Sequence, residues 1–334
     1  MTDTKHEDQD FLNKDILFPD SDEDIQFSQV IRRAKLKIIL RNVITSVIIS
    51  LVVISSLFLG TIQLNSLASD RTLREVWNFK AITGANIELG NYHLQSNLFS
   101  GGITFYSYKL IEGVPVKWAN ADYQYSILGS FSPQPGNYSP IQIKDSSKQF
   151  RLYDYQTAQR ELVFYNPDLT YQMYINDLNL LKTKDKNAVA EIALSFDHSY
   201  TVDQIKKMLP DGVHAAWYWV DTSKGNQNDT LNGTLMPVPD TQVYGLPDKP
   251  EYIEQSEGVA NDFLKAIDTG LKIKGRYYGE YKGISDYLRK TKEKPTAADV
   301  RIIGVVVTGN AQALQSLQSQ PYIKAAVLGV TAER

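Results

Sequence analysis

Between Arg41 and Asp70 the chain carries no charged residue, and the 23 residues Asn42–Leu64 are almost wholly apolar or hydroxyl-bearing. As a helix rising about 1.5 Å per residue, this run would be about 34 Å long, enough to cross a hydrocarbon core of about 30 Å. Its Ser and Thr side chains can return hydrogen bonds to the helix backbone. Soluble core helices are seldom this long and this uncharged. Ser66-Leu67-Ala68 has the small-x-small look of a signal cleavage site, but the apolar run is longer than a signal core and 41 residues precede it. The reading is an uncleaved single-pass anchor. Arg32, Arg33, Lys35, Lys37 and Arg41 crowd just before the run, whereas Arg71 and Arg74 alone sit close after it. The positive-inside rule then places the N-terminus in the cytoplasm and the C-terminal body outside. The collar also suits contact with anionic lipid head groups.

This layout splits the charge. Residues 1–27 sum to -7, residues 28–41 to +5, and the remainder to -1, within a net charge of -3. A near-neutral body gives no electrostatic reason to expect nucleic acid as its partner. The 334 residues contain no cysteine, which excludes a disulfide framework, a thiolate metal site and a cysteine nucleophile. All 20 Tyr and all 4 Trp lie beyond residue 76, so the large core belongs to the C-terminal body.

The segment before the span is too short for an enzyme domain but long enough to bind. Ser21 is placed to cap a helix, and Asp22, Glu23 and Asp24 fill its first turn, where the helix dipole favours acids. Phe27, Val30, Ile31, Ala34 and Ile38 then recur at helical spacing as one apolar stripe. The stripe either lies on lipid or docks a partner, and the sequence leaves both open. Upstream, Phe11, Leu12, Ile16, Leu17 and Phe18 alternate with acids and stop at Pro19. Such a segment is disordered alone and folds on a partner, whose complementary surface would be basic.

Residues 69–80 read as a short helix leading off the membrane. From Ala85 to Phe164, short aromatic strands alternate with turns, and GGITFYSYKLIEG and DYQYSILGSF show the period of two. The C-terminal half repeats a strand–helix–strand pattern. EIALSF, a helix capped by Thr201, and VHAAWYWV form one unit; VRIIGVVVT, a helix opened by Gly309-Asn310, and YIKAAVLGV form the other. Two such units predict one sheet of split βαβ, ferredoxin-like type. A helical insert between them is marked by Val259, Phe263 and Ile267, then by Ile284, Tyr287 and Leu288.

No H-E-x-x-H, G-x-S-x-G, S-x-x-K, Walker or dinucleotide motif occurs. His6, His93, His198 and His214 are isolated. Asp197-His198 reads as a bystander at a strand-to-helix turn, and Asp229 with its Asn neighbours lacks ordered ligand spacing. WYWVDT at 217–222 places Trp217 and Trp219 on one strand face and Tyr218 on the other, a core pattern.

Several long stretches are family-like. AEIALSFDHSYTVDQIKKMLPDGVHAAWYWVDT, the YGLP turn, IIGVVVTGNAQALQSLQSQPYIKAAVLGVT, YDYQTAQRELVFYNPDLTYQMYINDL and FSQVIRRAKLKIILRNVITSVIISLVV together resemble the bacterial sigma factor regulator family. The resemblance implies a membrane anti-sigma factor for an extracytoplasmic-function sigma factor, held inside, with an outer part that senses the envelope. It brings no catalytic motif, and the His-x3-Cys-x2-Cys zinc motif of another anti-sigma class is absent.

The expected architecture is α+β: a cytosolic acidic tail and juxtamembrane helix (1–41), one transmembrane helix (42–64), a β-rich region (65–184) and an α/β domain (185–334). The partner residues expected are Phe11, Leu12, Ile16, Leu17, Phe18, Asp22, Glu23, Asp24, Phe27, Val30, Ile31 and Ala34. The expected partners are the sigma factor, membrane lipid and a second small membrane protein, with no cofactor, metal or direct contact with nucleic acid. The alternative is a membrane-anchored binding protein for peptide, glycan or a membrane partner; a tethered hydrolase is the least favoured class.

Overall fold

The computed structural model describes residues 22–133, 140–145, 149–225, 230–231, 234–249 and 255–333. The chain divides into two compact units, residues 1–60 and 61–334. Helix α1 (Asp22–Lys80) is a single element, and the stretch read as a short helix leading off the membrane at 69–80 is its end. No proline interrupts it and its lone interior glycine, Gly60, is tolerated. Among the described residues it is the one helix long and apolar enough to cross a membrane. Its most apolar window has a mean hydropathy of 2.5 and none of it is buried. A soluble helix would cover at least one face of such a run.

Residues 61–80 of α1 belong to the body. Val76 and Glu75 are buried there, the Trp77 ring meets Phe105 edge-on at 5.5 Å, and Phe79 stacks on Tyr277 at 3.7 Å. Glu75 Oε2 accepts the Arg276 backbone N–H at 2.7 Å, and Asn78 Nδ2 lies 2.7 Å from the Tyr281 hydroxyl.

The first sheet follows. Strands β1 (Glu88–Ser96), β2 (Ser100–Ile111), β3 (Val114–Lys117), β4 (Ala121–Ser126) and β5 (Phe131–Pro133) pair antiparallel in the order β1-β2-β4-β5, with β3 also beside β2. The period of two is visible in burial: Ile103, Phe105, Ser107, Lys109 and Ile111 of β2 point inward, as do Ala121, Tyr123 and Tyr125 of β4. A hairpin of β6 (Ile141–Lys144) and β7 (Phe150–Tyr153) and the short β8 (Val163–Phe164) lead to the second sheet.

That sheet begins with β9 (Val189–Tyr200), α2 (Val202–Met208) and β10 (Val213–Val220). Short pairs intervene: β11 (Thr230–Leu231) with β12 (Thr234–Leu235), and β13 (Val238–Pro239) with β8. Then come β14 (Gly245–Pro247), the insert helices α3 (Val259–Ile273) and α4 (Tyr278–Arg289), β15 (Ile302–Asn310), α5 (Ala311–Gln315) and β16 (Ile323–Ala332). The order is β14-β10-β15-β9-β16, all neighbours antiparallel. Each strand–helix–strand unit therefore joins parallel strands that flank an antiparallel one. This interleaving is the split βαβ arrangement of ferredoxin-like sheets, with β14 added at one edge. Thr201 and Gln204 form a reciprocal capping box at α2, and Asn310 Oδ1 accepts the Ala313 N–H at 2.7 Å at α5.

Both faces of this sheet are covered. Ile192, Leu194, Tyr218, Val305 and Val307 pack into the core cluster that includes the insert helices. Trp217 and Trp219 turn to the other face, onto Phe164. The aromatic stretch at 217–222 is thus core, as its alternation predicts.

The two sheets are joined by a buried ion pair. Lys109 Nζ of β2 lies 2.7 Å from Glu191 Oε1 of β9, and both side chains are fully buried. Glu191 also accepts the Asn86 Nδ2–H at 2.8 Å and the Val330 backbone N–H at 3.2 Å, while Lys109 sits 4.1 Å from the centre of the Trp118 ring. Gly329 makes room, since a Cβ there would stand 2.6 Å from Glu191 Oε1. Removing one member of a buried pair leaves an uncompensated charge. Lys109→Met or Glu191→Met should each cost about 3–5 kcal/mol of stability. The double variant should cost less than the two singles added, as measured by denaturant unfolding of the detergent-solubilised full chain.

Candidate functional site

The expected partner residues fall into two groups. Phe11, Leu12, Ile16, Leu17 and Phe18 lie outside the described residues, as do Ser21 and the loop at Asp229. Asp22, Glu23 and Asp24 open α1, one turn before the stripe. Phe27, Val30, Ile31, Ala34 and Ile38 follow at successive turns of the same helix, and all are exposed, Phe27 at 67%. Arg32, Arg33, Lys35, Lys37 and Arg41 are exposed around and beyond them. The helix brings acids, an apolar stripe and cations together within about 30 Å, at about 1.5 Å per residue. Such a surface can seat an amphipathic partner or lie on lipid.

A second feature was not legible in the sequence. A cleft of about 1310 Å³ opens between the end of α1, β1 and α3. Leu73, Trp77, Leu89, Tyr92 and Ala266 supply apolar walls and Arg74 a cation. Concave, largely apolar walls with a few charges suit a peptide or amphiphile. The three elements are up to about 200 residues apart in the chain, so no local motif announces them.

Among the described residues the histidines are not gathered into one cluster. His198 Nδ1 lies 3.0 Å from Asp197 Oδ1 on the surface, and His214 Nδ1 lies 2.9 Å from Glu112 Oε1. Among the described residues no group of three or more His, Cys, Asp or Glu is placed to hold a metal.

Two family models match the chain. The sigma factor regulator N-terminal model covers residues 28–116, and the sigma factor regulator C-terminal model covers residues 181–330. The chain belongs to the sigma factor regulator family. No match is found among curated proteins or among solved structures. Membership makes the protein regulatory and implies a sigma factor as its partner. Together with the membrane-length helix, it fits an anti-sigma factor.

The N-terminal match begins inside the apolar stripe and ends in β3, and the C-terminal match spans the ferredoxin-like sheet. In this regulator, Lys109 therefore lies in one matched region and Glu191 in the other. Further charges gather around that pair. Asp240 is buried, and its Oδ2 accepts the Leu162 N–H at 3.4 Å. Burial pushes the Asp240 carboxyl up to about 6; Lys109 opposes the rise and Glu191 adds to it. Burial also pushes Glu161 up to about 7, reinforced by Asp240 and Asp154 and opposed by Lys109. Burial lowers the Lys80 ammonium against the attraction of Asp240.

Both acids hold their protons more tightly folded than unfolded, so their contribution favours the folded state at low pH. It is full below about 4, the ordinary carboxylate range, and is lost as pH rises through about 6 and 7. Asp240→Asn should therefore lose less stability than wild type between pH 5 and 7.5. Thermal unfolding of both proteins across that window measures the difference.

Proposed function

We propose that this regulator is a single-pass membrane anti-sigma factor for an extracytoplasmic-function sigma factor. Residues 1–41 hold the sigma factor in the cytoplasm, residues 42–64 cross the membrane, and residues 65–184 and 185–334 form an outer body that senses the envelope. The observation that carries this reading is one helix, α1, bearing an exposed apolar stripe and a membrane-length run, in a chain matched by both sigma factor regulator models. The basic collar supports the cytoplasmic placement of the N-terminus.

In this reading the stripe Phe27, Val30, Ile31 and Ala34 covers an apolar strip on the sigma factor. The acids Asp22, Glu23 and Asp24, with the segment Phe11, Leu12, Ile16, Leu17 and Phe18, face a basic surface that otherwise meets nucleic acid phosphates. Membrane lipid meets the collar, and a second small membrane protein is a further partner. The cleft beside Trp77 and Tyr92 is the candidate receptor for an envelope signal. It also supports the second reading, a membrane-anchored extracellular binding protein with no transcriptional role.

The test is binding of a co-expressed extracytoplasmic-function sigma factor to the detergent-solubilised full chain. Reversing Asp22, Glu23 and Asp24 to Lys should weaken binding and flatten its dependence on salt. Ile31→Asp should weaken binding at every salt concentration, by about tenfold or more for a buried apolar contact. Unchanged affinity in both variants would remove the N-terminal segment from the interface.

A further inference from the structure

The end of the first sheet carries apolar residues where turns ordinarily carry polar ones. Strands β1 and β2 are joined by a tight hairpin, and its last closing contact, the Asn97 N–H donating to Ser100 O at 2.8 Å, leaves two residues at the tip. Two-residue hairpin connections favour Asn, Asp and Gly. Here the two residues are Leu98 and Phe99, 48% and 58% exposed. The β4–β5 turn repeats the anomaly. Ile127 and Leu128 form its corners, Gly129 takes the left-handed position with φ +83°, and Leu128 is 91% exposed. The two turns are tied together, since the Ile127 N–H donates to Phe99 O at 3.1 Å.

The position of this tip is fixed by α1. Asn65 Nδ2 donates to Asn97 O at 2.5 Å and approaches Ser100 O at 3.3 Å, the two residues that flank Leu98-Phe99. Asn65 directly follows Leu64, the last residue of the run Asn42–Leu64 read as the span. Whichever way the span tilts, chain continuity holds Asn65 within about 2 Å, along the helix, of the point where that run ends. Four apolar turn residues thus lie beside the membrane boundary.

We propose that the turns Leu98-Phe99 and Ile127-Leu128 insert into the lipid head-group and upper acyl region, so that the body rests on the bilayer through a second contact besides its helix. The occupant of this surface is lipid. The evidence for lipid over a protein partner is the position: a side chain exposed here meets the interface before anything else, and large apolar side chains gain by entering it. The proposal rests on the reading that α1 spans the membrane, but it does not depend on which side the body occupies.

The absence of cysteine makes the test direct. Single variants Leu98→Cys, Leu128→Cys, Val52→Cys and Tyr155→Cys of the full chain are labelled with an environment-sensitive fluorophore and reconstituted in phosphatidylcholine–phosphatidylglycerol vesicles with or without doxyl-labelled lipid. Val52 reports the centre of the span. Tyr155, 67% exposed, is the water control, because the neighbouring Gln156 Oε1 accepts the Asn120 N–H at 3.0 Å, at the end of β4 remote from its turn. Labels at 98 and 128 should show blue-shifted emission and loss of intensity with shallow doxyl lipid, while the label at 155 stays water-like. Quenching at 52 with water-like emission at both 98 and 128 would overturn the proposal and leave the span intact. No quenching at 52 would overturn the spanning reading and the proposal with it.

Discussion

The body of this protein depends on one buried ion pair. Lys109 and Glu191 come from different sheets and from regions covered by different family models, and each is fully removed from water. A pair of this kind is not a large net source of stability, because desolvating both charges offsets most of their attraction. Its effect is on specificity. Glu191 has three donors around it, and Lys109 has a carboxylate and the face of Trp118. A shift of either sheet would strand a charge, so the pair favours one placement of β2 over β9.

The same region explains why the body should respond to pH. Glu161 and Asp240 share a partly dry environment with that pair, and burial raises both carboxyls, with Asp240 adding to the rise of Glu161 and Glu191 to that of Asp240. The cleft lies nearby in the chain's own terms, since Lys80 lines it and is also held down by burial against Asp240.

Much of this was legible in the sequence where the pattern is local. The uncharged run gave the membrane-length helix, and period-two alternation gave β2 and β4. Thr201 and Asn310 announced their helices, because a cap is a contact between residues three apart. The ferredoxin-like order followed from two strand–helix–strand units. The stretch read as a short helix at 69–80 is helical and runs on from the preceding helix, because the polar residues at Asn65–Asp70 carry no helix stop. Lys109 stood at an inward position of its strand, a visible anomaly, but its partner is 82 residues away. The cleft and the apolar turns are assembled by tertiary contacts, such as Asn65 with Asn97, that periodicity does not encode.

The central claim is that the N-terminal segment, and not the body, holds a sigma factor. The most direct measurement compares partners captured from native membranes by the full-length protein and by a chain lacking residues 1–31, which retains the cations from Arg32 to Arg41 and hence the topology signal. Mass spectrometry should find a sigma factor with the first and not with the second. A sigma factor retained equally by both, or absent from both with the proteins well expressed, would contradict the account.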